Sequence, residues 1–286
     1  MTEPAAAALP DLVGVYGGGR MGAGIAHAFL VRGARVVVVE NDQAAADAAR
    51  ERVATSVGRA ADRGLLSSSV DEALARLRVT TAAGDLAGAG LVVEAVPEDA
   101  GLKLDVLRRV EQVAPDAVLA TNTSSLSVSG IAEGLRSPQR FVGLHFFNPV
   151  PASDLVEVVL GAQTGDDLAE QARQWVTALG KTAITVQDSP GFASSRLGVA
   201  IALEAMRMVQ EGVASAQDID TAMTLGYRHP VGPLRTTDIV GLDVRLAIAE
   251  HLERELGPRF EPPQVLRDMV AAGHLGRKTG RGFYDW

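Results

Sequence analysis

The chain has 286 residues, of which 47% are hydrophobic, 22% are charged and none is cysteine, proportions typical of an ordinary globular protein long enough for two domains. The lack of cysteine excludes a disulfide framework, a thiolate metal site and a cysteine nucleophile, so we expect a cytoplasmic location and a bound cofactor for any redox chemistry. Acidic residues (35) outnumber basic ones (27), and the basic residues form no long run, which argues against a nucleic-acid-binding face.

The first residues, MTEPAAAALPD, are acidic and too short for the apolar core of a signal peptide, so we expect a frayed tail. No apolar stretch approaches the roughly 20 residues of a membrane span, and we therefore expect no membrane partner. The alanine-rich stretch at 44–61 predicts a helix rather than a low-complexity segment.

Short apolar runs rich in β-branched residues alternate with helical patterns from residue 12 to about residue 187. These runs lie at 12–16, 35–40, 91–96, 117–121, 141–145, 155–160 and 183–186. Continuous apolar strands that alternate with helices predict an α/β fold, with a Rossmann-like, doubly wound sheet that is covered on both faces and parallel in at least its first part.

The strand pattern stops after the Ser-Pro-Gly sequence at 189–191, and the remaining residues show helical periodicity only. We therefore place a boundary near Asp188. The sequence predicts a sheet domain of residues 1–188, which would bind the cofactor. It also predicts an all-helical C-terminal domain of residues 189–286.

The helical pattern is clear in this second part. Apolar residues recur at spacings of three and four from 197 to 209, and Gly212 is placed to end that helix. Ser215 and Asp218 predict the reciprocal cap of a second helix. Two further helices are expected at 242–256 and 262–272.

A glycine-rich turn, GGGRMG at 17–22, lies between the first strand and a helical segment. This G-x-G-x-x-G pattern is typical of a dinucleotide site. Gly17 permits a tight turn, Gly19 lets the backbone approach a pyrophosphate, and Gly22 lets the helix pack closely on the sheet. The N-terminus of the helix offers unpaired N–H groups to the anion.

Glu40 ends the second strand, 23 residues after Gly17. This offset suits a carboxylate that accepts hydrogen bonds from the adenosine ribose. The carboxylate repels a 2′-phosphate, and neither Asn41 nor Asp42 supplies a cation, so NAD is favoured over NADP. A solvated glutamate at a strand end is the alternative.

Glu157 interrupts the apolar run at 155–160, and a glutamate inside a buried strand costs on the order of several kcal/mol unless it is paired. His145, at the end of the preceding strand, is the natural partner. If the two meet, the carboxylate fixes one imidazole nitrogen and the other can take a proton from a substrate hydroxyl. For His145 alone, a core histidine bonded to backbone is the alternative.

The hydroxyl-rich segment TNTSS at 121–125 follows another strand. Open α/β sheets gather their ligands at such strand ends, so we expect a substrate contact here. Capping of the following helix is the alternative interpretation.

Together these motifs resemble the L-3-hydroxyacyl-CoA dehydrogenase family, in particular its short 3-hydroxybutyryl-CoA dehydrogenases, from about Val13 to Trp286. The matching stretches are GVYGGGRMGAGIA, VVEAVPED, TNTSSLS, GLHFFNPVP, LVEVV, DSPGF, EGVASAQDIDTAM, HPVGPL, DIVGLD and GRKTGRGFYDW. The resemblance implies NAD-dependent, reversible oxidation of an (S)-3-hydroxyacyl-CoA to the 3-ketoacyl-CoA in fatty acid metabolism. It also implies a homodimer formed through the helical domain.

By this resemblance His145 is the catalytic base, Glu157 orients it and Ser124 contacts the reacting oxygen. No metal is implied. The implied cofactor contacts are Gly17, Gly19, Arg20, Met21, Gly22, Glu40, Glu98, Lys103, Ser124, Asn148 and Lys278. Coenzyme A contacts are implied for Ser56 and Arg63. Arg59 lies one helical turn from Arg63, and it either extends a phosphate-binding stripe or belongs to a solvated helix face.

One departure concerns the segment after DSPGF, where the family usually has an asparagine that helps to bind the substrate oxygen. This chain has Ser195 at that position, a shorter donor that needs a water or a repositioned substrate to fill the gap. Two other substrates therefore stay open, a hydroxyacyl group on an acyl carrier protein and a sugar acid such as L-gulonate. A non-catalytic NAD-binding protein is disfavoured, because His145, Glu157 and Ser124 are all present.

Overall fold

The computed structural model describes residues 9–286, and the chain divides into two compact units. The first unit ends at Ser189, and the second runs from Pro190 to Trp286. Most of the tail expected from the sequence, residues 1–8, lies outside the described residues. No helix within residues 9–286 is long and apolar enough to cross a membrane.

The first unit is built on one sheet, which has eight strands within the described residues. They are β1 (Leu12–Tyr16), β2 (Arg35–Val39), β3 (Leu77–Thr80), β4 (Leu91–Glu94), β5 (Val118–Thr121), β6 (Phe141–Phe146), β7 (Leu155–Leu160) and β8 (Thr182–Gln187). Their order is β3-β2-β1-β4-β5-β6-β7-β8, and β6–β7 is the antiparallel pair among parallel neighbours. The predicted doubly wound α/β fold is confirmed.

Strand β3 is missing from the sequence prediction. Only Leu77 among its residues is buried, and the Arg78 side chain is 64% exposed and paired with Asp85 at 2.8 Å. The strand pairs with β2 alone, at the edge of the sheet. It therefore lacks the continuous apolar run by which central strands are recognised.

Helices cover the sheet because its central strands are apolar at successive positions and must be buried on both faces. In this unit they are α1 (Arg20–Leu30), α2 (Gln43–Asp62), α3 (Val70–Ala75), α4 (Ala100–Val113), α5 (Val128–Ala132) and α6 (Asp166–Ala178). Val36 and Val38 share a core cluster with Phe29 of α1. A side chain at Gly14 would instead meet Leu86, on the other face. The helix predicted at 44–61 forms most of α2.

The carboxyl ends of β1, β4, β5 and β6 meet at one edge of the sheet, because these strands are parallel neighbours. The Ala95 N–H donates to the Tyr16 carbonyl, and the Asn122 N–H donates to the Glu94 carbonyl. The Asn122 side-chain oxygen accepts from the Phe146 N–H at 2.9 Å. These contacts hold the segments that follow the four strands side by side.

The second unit is helical, as predicted. It contains α7 (Ser194–Gln210), α8 (Ala216–Thr221), α9 (Pro233–Val240), α10 (Leu242–Leu256) and α11 (Gln264–Ala271). Gly212 follows α7 with a φ of 72°, the left-handed conformation that ends a helix. The Ser215 side chain accepts from the Asp218 N–H and donates its hydroxyl to the Asp218 carboxylate at 2.6 Å. The expected helix end and the Ser215 cap are therefore present, but the Asp218 carboxylate bonds the Ser215 hydroxyl in place of the reciprocal contact to the Ser215 backbone N–H.

Helix α9 was not predicted, because two prolines and a glycine between 230 and 233 give its start the pattern of a loop. Its buried Asp238 accepts hydrogen bonds from the N–H groups of Phe283 and Tyr284 and from the Trp286 indole, each at 2.9 Å. The C-terminal segment is thus attached to α9.

Candidate active site

The glycine-rich turn between β1 and α1 has the backbone that an anion site needs. Gly17 has a φ of 94°, a backbone conformation that residues with a side chain rarely adopt. A side chain at Gly22 would collide with the Gly17 carbonyl. A side chain at Gly19, in contrast, would meet nothing within 4 Å. The Gly19 position therefore opens to free space beside the first turn of α1, which leaves room for an anionic group at the helix N-terminus.

Glu40 follows β2 directly, and its carboxylate accepts a hydrogen bond from the Gly18 N–H at 2.5 Å. A negative charge therefore lies against the glycine turn, as the choice of NAD requires. Arg52 of α2 donates to the Gly18 carbonyl at 3.4 Å and brings a cation to the same turn. At the start of α1, Arg20 is exposed and Met21 is half-buried.

A buried ion pair lies beneath the ends of β4 and β5. The Lys103 Nζ is 2.8 Å from the Glu94 Oε1, and the two side chains are 1% and 0% exposed. The other Glu94 oxygen accepts from the Thr121 hydroxyl at 2.7 Å, and Lys103 donates to the Val96 carbonyl at 3.1 Å. Matched charges with satisfied hydrogen bonds are what makes such a pair tolerable in the interior. Lys103 thus holds the segment that follows β4.

Glu98 organises the loop that follows β5. Its Oε1 accepts hydrogen bonds from the Thr123 hydroxyl at 2.6 Å and from the N–H groups of Ser124 and Ser125 at 2.9 and 3.0 Å. The Lys103 Nζ lies 3.3 Å from its Oε2. Burial acts to raise the pKa of Glu98, but the hydrogen bonds and Lys103 outweigh burial and hold this pKa below its ordinary value. A stable carboxylate therefore fixes the exposed Ser124 at the edge of the sheet.

His145 and Glu157 lie directly opposite each other in the antiparallel pair β6–β7. The imidazole Nδ1 is 2.6 Å from the Glu157 Oε2, and the side chains are 8% and 0% exposed. The Phe147 ring packs on the imidazole with 4.5 Å between ring centroids. The contact that the sequence predicts is present, and it combines a proton-exchanging group with a buried carboxylate.

The segment after His145 lies against helix α1. His145 is the second-last residue of β6, at the edge where β1 and β5 also end. A side chain at Gly24 of α1 would collide with Val150. Only a glycine allows this approach, which brings the exposed Asn148 near α1.

A groove runs between α1, α2 and the segment 148–152, and we call it the α1–α2 groove. The part near Arg20 and Asn148 has a volume of 380 Å³, and the part near His27 and Arg63 has a volume of 220 Å³. Residues that line it recur at helical spacing, which puts them on one face of each helix. They include Arg20, Gly24 and His27 of α1, Arg52, Ser56 and Arg59 of α2, and Arg63 directly after α2. The predicted coenzyme A residues Ser56 and Arg63 therefore share this groove with Arg59.

Two predicted site residues belong to the helical unit. Ser195 lies half-buried in the first turn of α7. The Lys278 Nζ is 2.6 Å from both carboxylate oxygens of Asp243, and this hydrogen bond lowers the pKa of Asp243.

Sequence reasoning missed Glu94, Arg52 and His27. Glu94 carries the same signal as Glu157, a carboxylate inside a buried apolar run, and the run at 91–96 could have revealed it. Arg52 and His27 could have been found by extending the helical spacing from Ser56 and from Arg20.

Family models match nearly the whole chain. Residues 12–189 match the model described as 3-hydroxyacyl-CoA dehydrogenase, NAD binding domain. Residues 191–286 match the model described as 3-hydroxyacyl-CoA dehydrogenase, C-terminal domain.

Individual relatives cover almost the full length of the chain. A probable 3-hydroxybutyryl-CoA dehydrogenase of Deinococcus radiodurans is 41% identical over 275 residues, with 96% of this chain and 99% of the relative covered. A 3-hydroxybutyryl-CoA dehydrogenase of Mycobacterium tuberculosis is 42% identical over 279 residues, with 96% and 98% covered. The crystal structure of (S)-3-hydroxybutyryl-CoA dehydrogenase from Ralstonia eutropha has a TM-score of 0.93 at 40% identity, with 97% and 99% covered.

Proposed function

We propose that this chain, which belongs to the 3-hydroxyacyl-CoA dehydrogenase family, oxidises (S)-3-hydroxybutyryl-CoA reversibly to acetoacetyl-CoA. The family identified from the sequence is confirmed, and so is the expectation that the protein is an NAD-dependent oxidoreductase. The relatives are 3-hydroxybutyryl-CoA dehydrogenases, which supports a short acyl chain.

The observation that carries the proposal is the buried contact between His145 and Glu157 at 2.6 Å. Because Nδ1 is bonded to the carboxylate, the Nε2 of the imidazole takes the proton of the substrate hydroxyl. Glu157 keeps the ring in position and stabilises the positive charge that forms on it. NAD, when bound, supplies the acceptor for the hydride that leaves C3 of the substrate.

The first unit would hold NAD chiefly through its backbone. The turn at 17–22 receives the pyrophosphate, and the Glu40 carboxylate receives the adenosine ribose. The open space at Gly19 and the position of Glu40 against Gly18 support this assignment. Asn148 and Lys278 are further cofactor contacts that we propose from the family resemblance.

Serine hydroxyls hold the reacting oxygen in this proposal. Ser124 is exposed at the sheet edge and its N–H is anchored on Glu98, which supports a fixed donor at this position. Ser195 is the second donor that we propose, and Ser56 and Arg63 of the α1–α2 groove hold the coenzyme A arm.

We also propose a cytoplasmic homodimer that forms through the helical unit. Large apolar side chains of this unit are exposed, among them Leu197 at 64%, Leu225 at 78% and Tyr227 at 76%. Exposed apolar groups of this size support a protein interface. Light scattering should give about twice the chain mass of 29.9 kDa, and cell fractionation tests the compartment. A monomer, or enzyme in a membrane or exported fraction, would contradict this proposal.

The decisive experiment is NADH oxidation with acetoacetyl-CoA, repeated with NADPH. We expect rapid consumption of NADH and much slower consumption of NADPH. An acetoacetyl group on acyl carrier protein and L-gulonate with NAD are the comparison substrates, because Ser195 replaces the family's asparagine. A higher kcat/KM on either of these would overturn the coenzyme A assignment.

A further inference from the structure

Arg245 of α10 is a buried cation without a counter-ion among the described residues. It is 9% exposed, and its Nε is sealed from solvent without a hydrogen-bond partner in residues 9–286. Burial lowers the pKa of its guanidinium below the usual range, and no neighbouring carboxylate opposes this effect. A buried charge is costly unless something pairs with it, so this guanidinium suits an anionic group that binds beside it.

The outer end of the guanidinium is not closed off. Of its nitrogens, only Nε is both sealed and unpaired. The two Nη atoms keep access to the space in front of them, and neither donates to another group within the described part of the chain. Such a planar fork can donate two parallel hydrogen bonds to a carboxylate. The open end therefore matches a carboxylate better than a single hydroxyl or carbonyl.

The acidic residues of α10 do not supply this carboxylate. Asp243, Glu250 and Glu253 pair with cations outside the helix. Glu255 is exposed and lies nearly three turns beyond Arg245. A carboxylate for Arg245 therefore has to come from a bound molecule.

Arg245 faces the beginning of α7. A Cβ at Gly198 would lie 3.7 Å from the Arg245 Nη1, so a larger side chain at this position would take the place of the guanidinium. Glycine weakens the interior of a helix, and here it leaves room for the cation. Gly198 follows Ser195 by three residues, which makes the two positions neighbours on one face of α7. The fork and Ser195 therefore share this face.

The distance between these positions indicates what the cation binds. Ser195 is a proposed donor to the reacting oxygen on C3 of the substrate. One turn of helix is about 5.4 Å, a length that roughly three or four carbon–carbon bonds span. A carboxylate at the end of a six-carbon acyl chain lies this far from C3. The serine at 195 is also shorter than the family's asparagine, which leaves space for a longer chain.

We propose that Arg245 binds a carboxylate at the far end of the acyl chain. The site then accepts 3-hydroxyacyl thioesters of dicarboxylic acids in addition to 3-hydroxybutyryl-CoA. This inference rests on the function proposed above and deepens it, because it names a substrate class and the residue that selects it.

Two thioesters of equal chain length test the contact. NADH oxidation is measured with 3-oxohexanoyl-CoA, which ends in a methyl group, and with 3-oxohexanedioyl-CoA, which ends in a carboxylate. The wild type should favour the carboxylate about ten-fold or more in kcat/KM, the effect of hydrogen bonds to a charged group. Arg245→Met should abolish this preference, chiefly through a higher KM for 3-oxohexanedioyl-CoA, and should leave the kcat/KM for 3-oxohexanoyl-CoA nearly unchanged.

Two further variants sharpen the test. Arg245→Gln repeats it with a polar neutral side chain and should also remove the preference, so the result does not depend on the folding of one variant. Arg254→Met is the matched control, because this arginine is exposed on the same helix. It should keep the preference of the wild type.

The possible outcomes separate this inference from the proposed function. Equal kcat/KM for both thioesters in the wild type, or an undiminished preference in a folded Arg245 variant, would overturn the role of Arg245 even if acetoacetyl-CoA is reduced. Dissociation of a wild-type dimer in Arg245→Met with unchanged kinetics would assign Arg245 to a subunit interface and would overturn it as well. If no thioester is reduced, calorimetry with saturating NADH decides. Tighter binding of 3-oxohexanedioyl-CoA by the wild type but not by Arg245→Met would then support the contact while the proposed function fails.

Discussion

The first unit contains two buried histidines with opposite surroundings. His145 lies on a strand and contacts the Glu157 carboxylate at 2.6 Å. His27 lies on α1 with an unpaired Nδ1, and Lys181 is the charged group that lowers its pKa beyond the effect of burial. Burial is similar for both residues. Two imidazoles of similar burial thus differ in their charged neighbour, a carboxylate for His145 and a cation for His27.

The secondary structure that carries each histidine explains this difference. In the antiparallel pair β6–β7, each residue of one strand faces one residue of the other, so Glu157 reaches His145 directly. Helix α1 instead turns its residues at 20, 24 and 27 toward a groove that has positive charge at both ends.

Removing the proton acceptor should have the largest effect. His145→Gln should lower kcat about 10²- to 10⁴-fold, because general-base catalysis contributes on this scale. NADH affinity, measured by fluorescence titration, should change little. His274→Gln, a half-buried histidine of the helical unit, is the matched control. A comparable loss of NADH binding in folded His145→Gln would contradict the catalytic role.

Removing the carboxylate should make His145 resemble His27. Glu157→Gln should lower kcat about 10²-fold, because the ring loses its orienting and charge-stabilising partner. The pH profile of kcat/KM should shift as well, which a purely structural role would not cause. Glu133→Gln, at an exposed position, is the control. An unchanged pH profile in Glu157→Gln would argue against the positioning role.

His27 should make the fold sensitive to acid. Its pKa is about 4 in the folded chain and near 6.5 when unfolded, so the unfolded state binds more protons between these values. The contribution of the neutral His27 ring to the free energy of unfolding is therefore fully present above pH 6.5, and it is lost as the pH drops toward 4. We expect a loss of roughly 2 to 3 kcal/mol by pH 4.5. Urea unfolding at pH 7 and at pH 4.5 measures this loss. The free energy of unfolding should fall less between these pH values in His27→Gln than in the wild type, and an equal fall in both proteins would refute the prediction.

The smallest effect should come from the neighbouring cation. Lys181→Gln removes a positive charge that lowers the pKa of His27, so this pKa should rise while burial still keeps it below 6.5. An NMR titration of the His27 ring measures the change. A pKa that stays the same in Lys181→Gln would mean that burial alone sets it.

Features that depend on neighbouring residues in the chain could be predicted from the sequence. The turn at 17–22 follows from glycines between an apolar strand and a helix, and the change from sheet to helices follows from the loss of strand pattern near residue 188. The pairing of His145 with Glu157 was predictable as well, because a carboxylate inside an apolar strand needs a partner and one histidine was close. Family, fold class and cofactor followed from the motifs that these features carry.

Features that depend on contacts between distant elements emerged only in the folded chain. Strand β3 is recognisable because β2 pairs with it, and α9 because the C-terminal segment bonds to Asp238. Glu94 and Lys103 form an ion pair only when α4 packs against β4, and His27 faces Arg59 and Arg63 only when α1 and α2 form a groove. Local periodicity records which face of an element is buried, whereas the identity of the partner across that face is set by how the elements pack.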